Sequence, residues 1–298
     1  MSNYFDKYKR TFNYDIGRMT PMPESPFSFR DDDSFRNLVE SIRQYGLLEP
    51  IVVIPHREYS GRYEIVSGVR RWMACREIDY TNISCIVADN MTRDEAIIFM
   101  VDANLCNRES IPPTEKGKAY KLKLETIARQ GRRSDLDETC TQDVYKLKSA
   151  ELIGAENDES RETVRRYIRL TELIPELQQL VDEHRIALGP AVELSYLPEE
   201  AQKAVYDYYA ENEVTPSYSQ ANQMKKRSAE GTLTPETLIG ILEQPKPNQV
   251  EMFHIPVERI RPFFAPKVSR ERMQDVIVKA LEYYAKHMER QRKNRDAR

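Results

Sequence analysis

A change of pattern at Pro112-Pro113 limits what this chain can fold into more than any other feature. Upstream of it, short β-branched runs alternate with stretches of helical period; downstream, to about Leu242, the pattern is helical with few strand signals. The fold class that follows is α+β: a small α/β domain, then an all-helical domain, then a short helical tail. In the first half, Phe35, Leu38, Val39, Ile42 and Tyr45 keep helical spacing between the capping run Asp31-Asp32-Asp33 and the stop Gly46. Ile51-Val52-Val53-Ile54 and Tyr63-Glu64-Ile65-Val66 read as a hairpin-like strand pair around Ser60-Gly61. Ser67-Gly68 ends the second run, residues 69–78 have helical composition, and residues 83–87 suit a third strand. Thr92-Arg93-Asp94-Glu95 is a capping-box pattern that opens a helix through about Leu105.

The expected domains are an N-terminal arm (1–25), the α/β domain (26–110), the helical domain (111–242), and a linker with a basic tail (243–298). Within the helical half, residues 130–142 are polar, contain Gly131 and lack a periodic apolar face, so they read as an exposed loop. Glu243-Gln244-Pro245-Lys246-Pro247-Asn248 reads as a linker and residues 250–255 as a short strand. Met273, Val276, Ile277, Ala280, Leu281 and Tyr284 then line one face of a helix, which packs either on a twin copy or within the chain.

Net charge of −3 and pI near 6.0 exclude a polycation that coats nucleic acid indiscriminately, so any DNA contact must come from a local patch. No apolar run approaches the ~18 residues of a membrane span and the N-terminus lacks a signal-peptide core, which makes the cytoplasm the expected compartment. Four cysteines and four histidines at irregular spacings suggest neither a disulfide framework nor a zinc site.

The local patch is found at residues 149–170. Residues 149–153 suit a short helix, Gly154 opens a turn, and residues 160–170 suit a second helix capped by Ser160 or Asp158. Val164, Tyr167, Ile168 and Thr171 fall on one side of it; Glu162, Arg165, Arg166 and Arg169 fall on the other. Such a helix offers what major-groove reading needs: arginine forks, a carboxylate and hydroxyls. A solvated surface helix is the plainer alternative, and the order of short helix, glycine turn and basic helix favours DNA. Ser160, Arg161, Glu162, Thr163, Arg165, Arg166 and Arg169 are the candidate DNA contacts, Arg166 for a base and Arg169 for phosphate.

Ser67-Gly68-Val69-Arg70-Arg71 sits where a strand passes into a helix, which presents backbone N–H groups and forked cations to an anion. Asp102 and Asn104, near the end of a later helix, offer the oxygen ligands that magnesium prefers. A glycine turn and a polar helix terminus are the structural alternatives.

In order, these segments resemble the ParB partition family. Pro26-Phe27-Ser28-Phe29-Arg30 is similar to its Pro-x-Gln-Pro-Arg box, and the stretch from Ser41 to Val53 is similar to its Ser-Ile-x-x-x-Gly-x-x-x-Pro-Ile-x-Val stretch. Gly68-Val69-Arg70-Arg71 matches its Gly-x-Arg-Arg motif, and Asn104-Leu105 lies at its Glu-Asn-Leu-Gln-Arg motif. The resemblance covers about residues 26–230 and is greatest to partition proteins of plasmids and conjugative elements. It implies a sulfiredoxin-like N-terminal fold, CTP with magnesium as cofactors, and a homodimeric clamp on a centromere-like site in double-stranded DNA. It also implies a ParA-type ATPase as partner. By position, Arg30, Gly68, Arg70, Arg71, Asn104 and Arg108 would hold the nucleotide, and Asp102 with Asn104 the metal.

Two departures accompany the resemblance: Ala103 stands where the family has its metal-binding glutamate, and Cys106-Asn107 precedes Arg108 where the family has one glutamine. Sulfiredoxin chemistry would need a cysteine where Val69 stands, and a nuclease would need more gathered carboxylates. At most a weak CTPase switch is expected, with no catalytic residue assigned. A transcriptional regulator or nucleoid-associated factor would use the same helix-turn-helix.

Overall fold

The computed structural model describes residues 11–107, 110–134, 153–154, 159–244, 257–265 and 268–296. The chain divides into two units, Met1–Gln244 and Pro245–Arg298. In the first, five strands form one mixed sheet: β1 (Thr11–Asp15), β2 (Met19–Pro21), β3 (Ile51–Pro55), β4 (Tyr63–Ser67) and β5 (Asn82–Val87). The strand order is β1-β5-β3-β4-β2. β3 runs antiparallel to β4 and parallel to β5, while β1 is antiparallel to β5 and β2 parallel to β4. Residues 11–21, expected to be an arm, thus supply both outer strands. Their pairing is with residues more than forty positions away, and a short, largely exposed strand such as Thr11–Asp15 carries little local signal.

That placement has a geometric cost. Outer strands of a flat five-stranded sheet would lie ~19 Å apart, yet the four steps from Asp15 to Met19 reach ~14 Å at most. The sheet therefore curls, and the turn Ile16–Arg18 bridges its two edges. Trp72 donates its indole N–H to the Ile16 carbonyl at 3.2 Å, which anchors the bridge from inside.

Three helices flank the sheet: α1 (Asp33–Tyr45), α2 (Val69–Glu77) and α3 (Arg93–Asn107). Asp32 caps α1 by accepting from the Phe35 N–H at 2.8 Å. Thr92 and Glu95 form the reciprocal cap of α3, with bonds of 2.8 and 3.3 Å. Ile51, Val52, Val53 and Ile54 are all buried because β3 is covered on both faces. One face meets Phe35, Ile42 and Trp72 of α1 and α2; the other meets Ile97, Met100 and Val101 of α3. Glu64 is the buried exception within β4, and Arg93 of α3 answers its charge.

The helical half comprises α4 (Pro113–Ser134), α5 (Arg161–Arg169), α6 (Pro175–Asp182), α7 (Leu188–Leu194), α8 (Glu199–Asn212), α9 (Tyr218–Ala229) and α10 (Pro235–Leu242). Residues 130–134, expected to begin a loop, instead extend α4, since arginine and glutamine continue an established helix cheaply even beside Gly131. Residues 135–142 lie outside the described residues. Leu177, Leu194, Val205, Met224, Leu238 and Leu242 are in the core of this half. Two buried amides brace it: Gln202 accepts from the Ile174 N–H at 2.9 Å, and Gln220 donates to the carbonyls of Ile241 and Gln244 at 2.9 and 3.0 Å.

In the second unit, α11 (Val257–Ile260) and a turn at Arg261–Phe263 precede α12 (Arg270–Asp296). Of the expected stripe on α12, Met273 is buried, whereas Val276, Leu281 and Tyr284 are exposed. The expected strand at 250–255 lies outside the described residues. Among the described residues no helix is long and apolar enough to cross a membrane, and no cluster of metal-ligating side chains is found.

Candidate nucleic-acid interface and anion cleft

Helix α5 begins at Ser160, whose hydroxyl accepts from the Thr163 N–H at 3.0 Å. Its inner side is fixed by Val164, which is fully buried with Tyr120 and Ile153 and packed by Tyr167 and Ile168. Two glycines let the backbones close. A Cβ on Gly117 would sit 2.2 Å from the Tyr167 carbonyl oxygen, and one on Gly154 would sit 2.5 Å from the Glu159 carbonyl oxygen. Gly154 itself is helical and accepts from the Glu159 N–H at 2.9 Å, which ties the turn to the start of α5. Residues 149–152 and 155–158 of the expected first helix and turn lie outside the described residues.

Glu159 was not singled out from the sequence, yet it orients α5. Its carboxylate pairs with Lys116 and accepts from the Tyr120 hydroxyl at 3.0 Å, and the Lys116 ammonium lies 4.9 Å from the Tyr167 ring centroid. Burial, and then Glu159, push the Tyr120 phenol well above the usual range. No local signal marks Glu159, because its partners lie about forty residues earlier.

Facing outward are Arg161, Glu162 and Arg165, all exposed, with Arg166 half-buried beside them. Arg169 is the exception among the expected contacts. Its Nε donates to Ser195 Oγ at 3.0 Å, an Nη donates to the Ser195 carbonyl at 2.7 Å, and its guanidinium lies 4.1 Å from the Tyr196 ring centroid. The arginine expected to meet phosphate is thus spent on joining α5 to the end of α7. A cleft of about 700 Å³ opens beside α5, where Arg165 and Arg166 face Gly189, Glu193, Tyr218 and Lys225. Those four partners were not legible in the sequence.

In the α/β half, a second cleft of about 600 Å³ is lined by Phe27, Phe29, Gly68, Arg70, Arg71 and Asn104, among others. Gly68 precedes α2 with φ of 97°, and a Cβ there would meet Ile51 Cγ2 at 2.7 Å, so both conformation and space require glycine. Arg70 forks onto Asp32 at 2.8 and 3.3 Å. That hydrogen bond, with the one from the Phe35 N–H, holds the Asp32 carboxyl down at about 2. Arg71 donates to the carbonyls of Glu49 and Pro50 at 2.9 and 3.0 Å and to Glu49 Oε2 at 3.2 Å. Burial pulls its pKa down while Glu49 opposes the shift.

Gly68, Arg70, Arg71 and Asn104 are therefore brought together, as the sequence suggested. Other expected members are not. Arg30 sits 4.0 Å from Glu115 of α4, a carboxylate that also accepts from Ser28. Asp102 is turned to Lys123 of α4, with which it pairs, and does not line the cleft; two helical positions separate it from Asn104 by about 200°. Arg108 lies outside the described residues. The sulfiredoxin-type position holds Val69, and the nearby Cys75 is buried with its thiol pushed up by burial.

Residues 6–105 match the ParB N-terminal domain and residues 141–228 match the ParB HTH domain. This chain belongs to the ParB family. The first match encloses all five strands with α1, α2 and most of α3; the second encloses α5 to α8 and most of α9. A probable chromosome-partitioning protein ParB from Helicobacter pylori is 27% identical over 204 residues, 67% of this chain and 61% of that protein. The nucleoid occlusion protein of Bacillus subtilis is 30% identical over 110 residues, 37% of this chain and 38% of its own. The chain thus spans under two thirds of the length of these ParB relatives. Two crystal structures of C-terminally truncated ParB from Caulobacter crescentus also match. The one complexed to the centromeric parS site has 19% identity and TM-score 0.43, covering 72% of this chain and 99% of that one. The one complexed with CTP-γ-S has 20% identity and TM-score 0.31, covering 67% and 99%.

Proposed function

We propose that this ParB-family chain reads a centromere-like site in double-stranded DNA through α5 and holds CTP in the α/β cleft, acting as a dimeric partition protein in the cytoplasm. The observation that carries the reading is the seating of α5. Val164 and Tyr167 lock its inner face, Glu159 and Ser160 fix its start, and Arg161, Glu162 and Arg165 project from the first turns, where a recognition helix meets base edges.

The test is selection of a bound duplex from a randomised pool, followed by titration of the selected and scrambled sites. Arg165→Ala is expected to cost ~1–3 kcal/mol on the selected site with little change on the scrambled one. Equal losses on both sites would reduce Arg165 to a phosphate contact, and no loss on either would remove α5 from the interface. Where the selected sequence lies, on a chromosome or on a plasmid or conjugative element, decides which replicon is served.

The nucleotide part rests on the donor set of the second cleft. Gly68 makes the left-handed turn that starts α2 at the cleft, and Arg70 and Arg71 present donors whose carboxylate partners mark them as anion-ready. When bound, CTP would add a triphosphate that these arginines orient. The cleft does not fit a magnesium ion held by Asp102 and Asn104, because Asp102 faces Lys123.

Self-association is supported by α12, whose exposed Val276, Leu281, Tyr284 and Met288 suit a twofold partner. A ParA-type ATPase is the expected second partner. A regulatory or nucleoid-associated factor is the second reading, supported by the match to nucleoid occlusion proteins. A ParA-type gene beside this one favours partition over it.

A further inference from the structure

Helix α3 walls the anion cleft, and the chemistry of its cleft-facing turn is unsuited to a metal. Magnesium demands near-octahedral oxygen ligands and is normally held by one or two protein carboxylates beside the phosphates. The residues of α3 that line the cleft are Met100, Ala103 and Asn104, which supply a thioether, a methyl group and an amide. The amide nitrogen of Asn104 donates to the Met100 carbonyl at 2.8 Å, which leaves one neutral oxygen for a ligand.

The carboxylate nearest in sequence is used elsewhere. Asp102 points to α4 and pairs with Lys123, whose side chain is 2% exposed. To reach the cleft it would have to leave a buried ammonium without that carboxylate, and α3 would have to rotate by roughly half a turn. Glu49, which does line the cleft, is bonded to Arg71 at 3.2 Å and its side chain is 81% exposed. Asp32 is bonded to Arg70. Among the described residues, Glu49 is thus the one carboxylate that lines the cleft, and it and Asp32 each serve an arginine.

From this donor set we infer that the cleft takes a nucleoside triphosphate by anion exchange: phosphate oxygens displace Asp32 and Glu49 from Arg70 and Arg71, with no protein-held divalent cation. Asp102 is a strut from the cleft wall to α4. The inference rests on the nucleotide reading above and departs from the metal site that the family resemblance implies. It also gives Lys123 a role, since a buried lysine at a helix crossing is otherwise a cost.

The experiment is calorimetry of the full chain with CTP, once in magnesium buffer and once in EDTA, each with and without the selected DNA site. The expected Kd values agree within about threefold between the two buffers. A Kd at least about tenfold weaker in EDTA overturns the inference, because it requires a cation that protein and nucleotide share. Asp102→Asn is expected to keep CTP affinity within about threefold in magnesium while lowering the thermal midpoint; a loss of affinity seen only in magnesium makes Asp102 a ligand and overturns it too. The wild-type comparison needs no variant, so poor folding of Asp102→Asn leaves the test intact. If CTP fails to bind in either buffer while site-specific DNA binding persists, the nucleotide reading itself falls and this inference with it, a result distinct from magnesium dependence.

Discussion

Gly117→Ala tests the seating of α5 by the sign of its effect. Gly117 is inside α4, where alanine is favoured by ~1 kcal/mol on helix propensity alone. The added methyl would lie 2.2 Å from the Tyr167 oxygen and 2.9 Å from its carbonyl carbon, against about 3.4 Å for ordinary contact. Both atoms are backbone, so no side chain can swing aside. The two helices must part by ~1 Å, enough to forfeit a quarter to a half of each dispersion contact around Tyr120, Ile153 and Val164. The overlap and its relaxation cost ~3–4 kcal/mol, at or a little above the usual overpacking range, and the net change is a destabilisation of ~2–3 kcal/mol. Gly240 supplies the control: it is also helical, with no atom within 4 Å of a would-be Cβ, so Gly240→Ala is expected to stabilise by ~0.5–1 kcal/mol. Urea unfolding followed by circular dichroism measures both. A Gly117→Ala midpoint at or above that of the wild type would refute the close approach of α4 and α5.

Arg169→Ala is expected to lower stability by ~1–3 kcal/mol through the two lost bonds to Ser195, while the salt dependence of DNA binding keeps its slope; a slope reduced by about one would restore Arg169 to the phosphate contacts. The Asp32–Arg70 pair favours the folded state above the ordinary aspartate value of 3.8, and that contribution is lost as pH falls through about 2. Arg70→Ala should bring the Asp32 titration back toward 3.8 in carboxyl-detected NMR, and an unmoved titration would show that the Phe35 N–H alone holds it down. Of the three described cysteines, only Cys106 should react promptly with a thiol reagent at neutral pH, since Cys75 and Cys85 are buried and burial pushes the Cys85 thiol up to about 11. Rapid labelling of Cys85 would mean that the sheet opens.

What could be read in advance was whatever is encoded by neighbours in sequence. The caps at Asp32, Thr92 and Ser160 are satisfied within three residues, and the inner stripe of α5 shows in its own helical period although its partner Tyr120 lies on α4, so local pattern sufficed for them. Gly68 with Arg70 and Arg71 was legible for the same reason. Asp102 was misplaced because proximity to Asn104 along the chain is not proximity around a helix, and the deciding partner, Lys123, lies on another element. Arg169 looked like its neighbours until Ser195, 26 residues later, claimed its donors. Glu159, Tyr218 and Lys225 gave no sign at all, for their roles arise where separate helices meet. The outer strands β1 and β2 went unrecognised because a three-residue strand ending in proline is defined by its partner rather than by its own composition.

Those two strands bear on how the protein is made. Residues 11–21 leave the ribosome well before the residues to which they pair, so β1 waits as unmatched strand for the translation of some seventy residues and β2 for some forty. The sheet cannot be completed until Val87 has emerged, and the pairing of β1 with β5 is then a late event of high loop-closure cost. Any delay in synthesis between β4 and β5 lengthens the interval in which β1 and the β5-facing edge of β3 are open to strands from other nascent copies.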